Sequence, residues 1–353
     1  MTTMLTPVLH HSRDAVEPAL RAAVGRLDPA TRAVASYHLG WTEADGGLRA
    51  AGGGKALRPA LVLLAARACG GTEEDAVPSA VAVELVHNFS LVHDDLMDGD
   101  TQRRHRATVW AVWGGSTAIL AGDALATLAQ QVVLESGSPR TLELLRILLE
   151  ATAELIRGQV ADLGFEQRHV VEVAECLDMV AGKTGALLAA SSGMGAVSAG
   201  APPATVAALT SYGDHLGTAF QLVDDLLGIW GRPAETGKPV LSDLRTRKKS
   251  LPVCFALAQG GAAAEELSAW IRTPAPERPA PGQPAAVPAD AAEEAALRRA
   301  AELVESCGAR TWTVAEARRH VAEARAALDA VRLEPSARAE LDALADFVVQ
   351  REH

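Results

Sequence analysis

Two acidic runs stand out because they lie in strongly apolar sequence: Asp94-Asp95-Leu96-Met97-Asp98, and Asp224-Asp225 about a third of the chain further on. At helical spacing Asp94 and Asp98 are four residues apart and project from one face. Ionising both without a cation between them would be costly, and a bound divalent metal is the simplest remedy. Both runs offer only oxygen ligands, with no Cys and no paired His, which points to Mg2+ and away from zinc or copper.

The positive charges are as selective as the acids. Of 33 Lys plus Arg only five are Lys: Lys55, Lys183, Lys238, Lys248 and Lys249. Where Arg serves as the solvated cation, the remaining lysines are enriched for sites that need a compact ammonium, and Lys binds phosphate as a point charge. Glu84, His87, Leu91, Asp94 and Asp98 follow three- and four-residue steps, so His87 sits two turns below the acids and reads as functional. Arg103-Arg104-His105-Arg106 follows directly, with planar forks suited to bidentate diphosphate binding. On the second acidic helix Gly217, Gln221, Asp224 and Gly228 share a face, with Asp225 beside them. Gly54-Lys55-Ala56-Leu57-Arg58-Pro59 puts two cations three residues apart after a glycine turn, and it is not a Walker loop. The stretch from Gly237-Lys238-Pro239 to Lys248-Lys249-Ser250-Leu251-Pro252 reads as a basic, turn-rich flap. Carboxylates for metal plus several cations imply a substrate with more than one phosphate group.

The elements that must carry these residues read as helices. Apolar residues recur at three- and four-residue spacing over 13–27, 57–70, 76–98, 115–135, 141–163, 171–192, 203–230 and 294–330, and alternating strand patterns are absent. Breaks fall at Gly52-Gly53-Gly54, Gly70-Gly71, Ser136-Gly137-Ser138-Pro139, Pro202-Pro203 and Gly231-Arg232-Pro233. The expectation is an all-α bundle forming a single domain over residues 1–353. Residues 274–289, with six prolines among Ala and Gly, read as a surface loop within it. The uncharged stretch from Gly185 to Gly213 is long enough to span a bilayer, but Gly193, Gly195, Gly200 and Pro202-Pro203 interrupt it, so two buried helical segments are expected.

At 353 residues with 48% hydrophobic content the chain can bury a sizeable core, and 4% aromatics with abundant Ala and Leu favour helix over strand. A formal charge of -11 argues against a nucleic-acid partner. Cys69, Cys176, Cys254 and Cys307 are dispersed, without zinc-finger or disulfide-framework spacing. The N-terminus has no basic stretch followed by an apolar core, so no secretory signal and no transmembrane segment is expected, and the cytoplasm is the default location.

These motifs, in this order, resemble the trans-type isoprenyl diphosphate synthases of the polyprenyl synthetase family, most closely the geranylgeranyl diphosphate synthases. The likeness rests on the Gly-Lys-x-x-Arg-Pro element, the DDxxD run with its paired arginines, Lys183-Thr184, Phe220-Gln221-x-x-Asp224-Asp225, and the late lysine elements. It implies antiparallel helices around a deep central cavity, a homodimer, and Mg2+ held between the two acidic runs. Asp94, Asp98 and Asp224 would then be metal ligands, with Asp95 and Asp225 in support. Arg103, Lys183, Thr184, Gln221, Lys238 and Lys248 would hold an allylic diphosphate. Lys55, Arg58, His87 and Arg104 would hold isopentenyl diphosphate.

Two departures from the family pattern bear on that reading. Gly228 stands where many members have a third aspartate, and His105-Arg106-Ala107-Thr108 replaces the usual glycine-x-proline-threonine. Because Mg2+ keeps several waters, loss of one outer carboxylate can be absorbed, so activity is expected with altered metal affinity. Product length should depend on Phe89, about 7.5 Å below Asp94 along the helix axis, and on its small neighbour Ser90. An aromatic there with no insertion in the first motif resembles enzymes making the C20 product, with C15 next. The alternatives are an isoprenyl-synthase-like terpene cyclase, against which the retained Lys55, Arg58, His87 and Arg104 speak, and a non-catalytic subunit of a heteromeric synthase, against which the nearly complete set of acids and lysines speaks.

Overall fold

The structure is a computed structural model that describes residues 2–49, 56–231, 240–273 and 291–350. Lys55, Lys238 and the proline-rich segment at 274–289 lie outside the described residues. The chain folds as helices: α1 (Thr2–Val24), α2 (Pro29–His38), α3 (Leu57–Ala68), α4 (Glu73–Met97), α5 (Val109–Trp113), α6 (Gly115–Leu134), α7 (Thr141–Glu166), α8 (Val173–Val180), α9 (Ala186–Ser198) and α10 (Pro203–Trp230). Further helices follow at Ser242–Arg245, Leu251–Ala258, Gly261–Ile271, Ala291–Ser306, Ala309–Asp329 and Pro335–Gln350.

Local chemistry sets several helix starts. Pro29 opens α2 behind Asp28, whose Oδ1 accepts from Ala30 N at 3.0 Å and Thr31 N at 3.1 Å. Thr72 caps α4 by accepting from Asp75 N at 3.2 Å, and Glu73, Glu74 and Asp75 complement the dipole of its first turn. Helix α4 is apolar almost all round, which suits a helix packed between α3, α6 and α9. Helix α10 packs against α9 on one side and Ala309–Asp329 on the other. One core cluster joins α1, α3, α4, α6, α7 and α9, and a second joins α3, α9, α10 and the two C-terminal helices. Both acidic runs are thereby fixed at the C-terminal ends of well-buried helices.

Four expectations are modified. The 171–192 segment is helical but passes through a π-helical turn at Ala181–Gly185, and 294–330 divides at Gly308, whose φ of 76° ends one helix and starts the next. A two-residue antiparallel hairpin, β1 (Gln102–Arg103) and β2 (Arg106–Ala107), follows the first acidic run where no strand was expected. The Gly185–Gly213 stretch resolves into two helical segments, of which the first is buried while Pro203, Ala204 and Ala207 of the second are exposed; α6 is also long and apolar enough to cross a membrane, with only 39% of its most apolar window buried.

Candidate active site

Asp94 and Asp95 occupy the last turn of α4, and Asp98 is its C-cap. The negative end of the helix dipole makes this a poor place for anions, so the sequence spends stability to put three there. Asp95 is 1% exposed and committed to protein: Arg103 Nε and Nη2 both lie 2.7 Å from its Oδ1. Burial raises the Asp94 carboxyl to about 6; Lys183 opposes the rise, while Asp98 adds to it. The acids are therefore under-compensated by the protein's own cations.

The hairpin aims the paired arginines. Its two turn residues, Arg104 and His105, have φ of 52° and 61°, the positive pair that a two-residue primed turn demands and that usually falls to Asn or Gly. That strain is held by the next residue. Arg106 donates to the carbonyls of Tyr37 at 2.8 Å and Thr42 at 2.7 Å and stacks 4.0 Å from the Tyr37 ring, while Tyr37 Oη donates back to Ala107 O at 2.8 Å. The departure from glycine-x-proline thus has a local reason: the hairpin is bolted to α2 by Arg106.

On the other side, the π-helical turn carries Lys183 and Thr184. Its close neighbour is Gly158 on α7, where a Cβ would fall 2.3 Å from Lys183 N, so only glycine allows this approach. Lys183 Nζ donates to Asp162 Oδ2 at 2.6 Å. Thr184 Oγ1 donates to Gln221 Oε1 at 2.8 Å, and Gln221 Nε2 donates to Asp225 Oδ1 at 2.9 Å. Asp225 also accepts from Leu251 N at 3.0 Å and lies 3.7 Å from Lys248 Nζ. Like Asp95, it is spent on positioning. Burial pushes Asp225 up to about 6, with Lys248 pulling it down and Asp243 pushing it further up. Although burial disfavours its charge, Lys248 is held well above the ordinary lysine range by Asp243, Asp225, Asp162 and Asp224.

The two sides enclose a cavity of about 400 Å3 lined by Asp98, Asp162, Lys183, Asp243, Lys248 and Lys249 among others. A second cavity, of about 190 Å3, lies behind Asp95 and is lined by His38, Arg49, Arg103, Arg104 and Arg106. Beside it burial lowers Arg58 to about 10 and keeps His87 well below the imidazole range, helped by Arg58 and Arg104. His38 is lowered to about 3 by burial and by Arg104 and Arg103. Buried Arg58 Nε and His38 Nε2 have no hydrogen-bond partner among the described residues, which suits a bound anion.

Of the residues singled out from sequence, Asp98, Lys183 and Lys248 share the larger cavity, and Arg58, His87 and Arg104 share the basic cluster. Asp94 and Asp224 act electrostatically on the lysines of that cavity. Phe89 is 7% exposed and meets His93 edge-on at 5.6 Å, while Ser90 turns its hydroxyl to His87 O at 2.8 Å. Asp162, Asp243 and His38 escaped the sequence reading. For Asp162 the signal was a Gly158-Gln159-x-x-Asp162 polar run inside an apolar helix; Asp243 and His38 have only spatial signals.

Among the described residues no three carboxylate, imidazole or thiol groups converge as a preformed metal cage. The carboxylates of Asp94, Asp98 and Asp224 are oxygen donors of the kind Mg2+ takes. The comparisons agree with the geometry. The sequence profile of the polyprenyl synthetase family matches residues 48–280. The chain is 50% identical to the (2E,6E)-farnesyl diphosphate synthase of Mycobacterium tuberculosis over 352 residues, covering 100% of this chain and 95% of that protein. A polyprenyl synthetase structure from Streptomyces coelicolor superposes with a TM-score of 0.89 at 51% identity, covering 98% of this chain and 99% of the other. The geranylgeranyl pyrophosphate synthase of Corynebacterium glutamicum, solved with isoprenyl diphosphate and magnesium, superposes with a TM-score of 0.79 at 26% identity, covering 98% and 99%. With its acidic runs, lysines and paired arginines carried on an all-α fold, the chain belongs to the polyprenyl synthetase family of prenyltransferases.

Proposed function

We propose that the protein condenses isopentenyl diphosphate with an allylic diphosphate and stops at a short product, the C20 geranylgeranyl diphosphate. The observation that carries the reading is the larger cavity, where Lys183 and Lys248 face a surplus of carboxylates. Lys183, Thr184, Gln221, Lys248 and Arg103, with Lys238 from outside the described residues, hold the allylic diphosphate. Arg58, His87 and Arg104, with Lys55, hold isopentenyl diphosphate, and His87 donates as a neutral imidazole. Asp94, Asp98 and Asp224 would hold Mg2+, which when bound offsets the charge of the leaving diphosphate.

The allylic C–O bond breaks and its electron pair leaves with the diphosphate. Lys183 and Lys248 line the cavity in which that charge would develop, and a contact of this kind is worth about 4 kcal/mol at 4 Å and a surface-like dielectric. The isopentenyl double bond attacks the allylic cation, a C–C bond forms, and a proton passes to the departing diphosphate, so no dedicated protein base is needed. Phe89, packed against His93 below the acids, ends the space for the tail.

The second reading is a C15 product, favoured by the 50% identity to a farnesyl diphosphate synthase. Incubation with Mg2+, isopentenyl diphosphate and C5, C10 or C15 starters separates them: C20 from every starter is expected, and accumulation of C15 with no extension of a C15 starter selects the shorter reading. Phe89→Ala should lengthen the product, and an unchanged product distribution would reject Phe89 as the floor.

A homodimer accounts for the exposed side of α6 and α7, where Leu120, Leu142 and Val160 are 66%, 80% and 65% exposed. A second copy covering this face also accounts for the apolarity of α6 without a membrane. Leu120→Glu with Val160→Glu should convert a dimer to a monomer in light scattering; an unchanged mass would remove this face as the interface.

A further inference from the structure

His38 is a titratable residue with a buried ring nitrogen that the proposed chemistry does not use. It ends α2 and precedes the stretch matched by the family profile, residues 48–280. A histidine at a helix C-terminus ordinarily serves the dipole as a solvated cation. His38 does not: burial, Arg104 and Arg103 hold it down to about 3, and Asn88 opposes them without offsetting them. The ring is therefore neutral at any working pH.

His38 lines the cavity of about 190 Å3 behind Asp95, with Arg49, Arg103, Arg104 and Arg106. Three of those guanidiniums already hold protein oxygens: Arg103 that of Asp95, Arg106 the carbonyls of Tyr37 and Thr42, and Arg49 Nη1 the Glu43 Oε1 at 2.6 Å. His38 Nε2 differs. It is buried without a hydrogen-bond partner among the described residues, as is Nε of Arg58 in the adjoining basic cluster. Asn88 gives its amide hydrogens to Glu84 O at 2.8 Å and Glu84 Oε1 at 2.9 Å, which leaves its carbonyl for Nδ1 of the His38 ring. A polar atom left unpaired beside a cavity of arginines costs stability until a ligand completes it.

We infer that His38 contacts the diphosphate of isopentenyl diphosphate through Nε2, closing the basic cluster of Arg58, His87 and Arg104 from the side of α2. The inference rests on the isopentenyl diphosphate site proposed above and adds to it a residue from outside the profile-matched stretch. With the Nδ1 hydrogen spent on the Asn88 carbonyl, Nε2 offers its lone pair, and the hydroxyl of a singly protonated diphosphate donates to it. A neutral ring suits this place, because it binds the ligand without adding a further positive charge beside the guanidiniums of the cavity. The rival is a ring that only fills space between α2 and the hairpin.

Calorimetric titration of isopentenyl diphosphate into the full-length protein, with Mg2+ and an unreactive geranyl thiolodiphosphate present, separates the two for wild type, His38→Phe, His38→Leu and His38→Gln. Phe and Leu keep bulk and lose Nε2, while Gln keeps an amide that can accept or donate there. The two apolar variants should each bind isopentenyl diphosphate about tenfold more weakly, the size of one hydrogen bond to a charged group, and His38→Gln should stay within about threefold of wild type. Affinity for the geranyl thiolodiphosphate alone should be unchanged in all three. A space-filling ring gives instead wild-type binding in the apolar variants; that result would overturn the inference, as would a folded His38→Gln as weak as His38→Phe. Melting curves identify any variant that does not fold, and should His38→Phe fail, His38→Leu is read in its place. If wild type binds no isopentenyl diphosphate, the site proposed above fails, a result distinct from tight binding that ignores His38.

Discussion

The first acidic half is built within one stretch of chain, from Asp94 to Arg106, whereas the second draws on α7, the π-helical turn, α10 and the segment from Ser242 to Leu251. Each half follows the same division of labour. One aspartate is buried and bound to protein, Asp95 to Arg103 and Asp225 to Gln221 and Leu251 N, and that fixes the orientation of its neighbour Asp94 or Asp224. Contiguity decides how the positions are held. A hairpin bolted by Arg106 serves the first half, and long-range hydrogen bonds between helices serve the second.

The largest test of that division is to remove one outward acid from each half. Asp94→Ala and Asp224→Ala should each lower turnover on the order of 10³-fold, comparable to losing a principal charge-stabilising group. A loss confined to Asp94→Ala would show that the second half is dispensable and would break the equivalence.

The paired arginines sharpen the contrast within the first half. Arg103→Ala strips Asp95 of its fork and should cost about 2–3 kcal/mol of stability, measured by denaturant unfolding, because a buried carboxyl loses its partner. Arg104→Ala should leave stability within about 0.5 kcal/mol and raise the KM for isopentenyl diphosphate. Equal stability loss in both variants would contradict a structural duty that Arg103 carries through Asp95, besides its contact with substrate, and that Arg104 does not.

The smallest effect is the pH response. Without metal Asp94 is raised from 3.8 to about 6, chiefly by burial, so Mg2+ competes with a proton there and its binding should weaken as pH falls through about 6. Without metal the sign for stability is opposite. The raised group favours the folded state most below 3.8, and that contribution is lost as pH rises through about 6. Melting curves from pH 4 to 8 with and without Mg2+ should therefore diverge at the alkaline end, Mg2+ stabilising most there; equal shifts across the range would exclude Asp94 as the titrating ligand.

Legibility in the sequence followed the same contrast. Helical periodicity exposed the bundle, and DDxxD with its arginines could be read because the cooperating residues are neighbours on one helix and the turn after it. Asp162 and Asp243 were passed over because their meaning depends on what approaches them: Lys183 across the Gly158 contact, and Gly228 across the gap its missing side chain leaves. The hairpin was missed because two residues per strand give no alternation to detect, and Arg106 looked like one more basic residue until Tyr37 and Thr42 were seen beneath it.

The central claim is that the two halves form one clamp and that neither holds its ions alone. Counting Mn2+ bound per subunit in the presence of geranyl thiolodiphosphate, in wild type, Asp94→Ala and Asp224→Ala, tests it most directly. Both variants should lose bound ions although the opposite half is intact, and omitting the diphosphate should weaken binding in the wild type. Full occupancy in either variant, or tight binding without the diphosphate, would contradict the account.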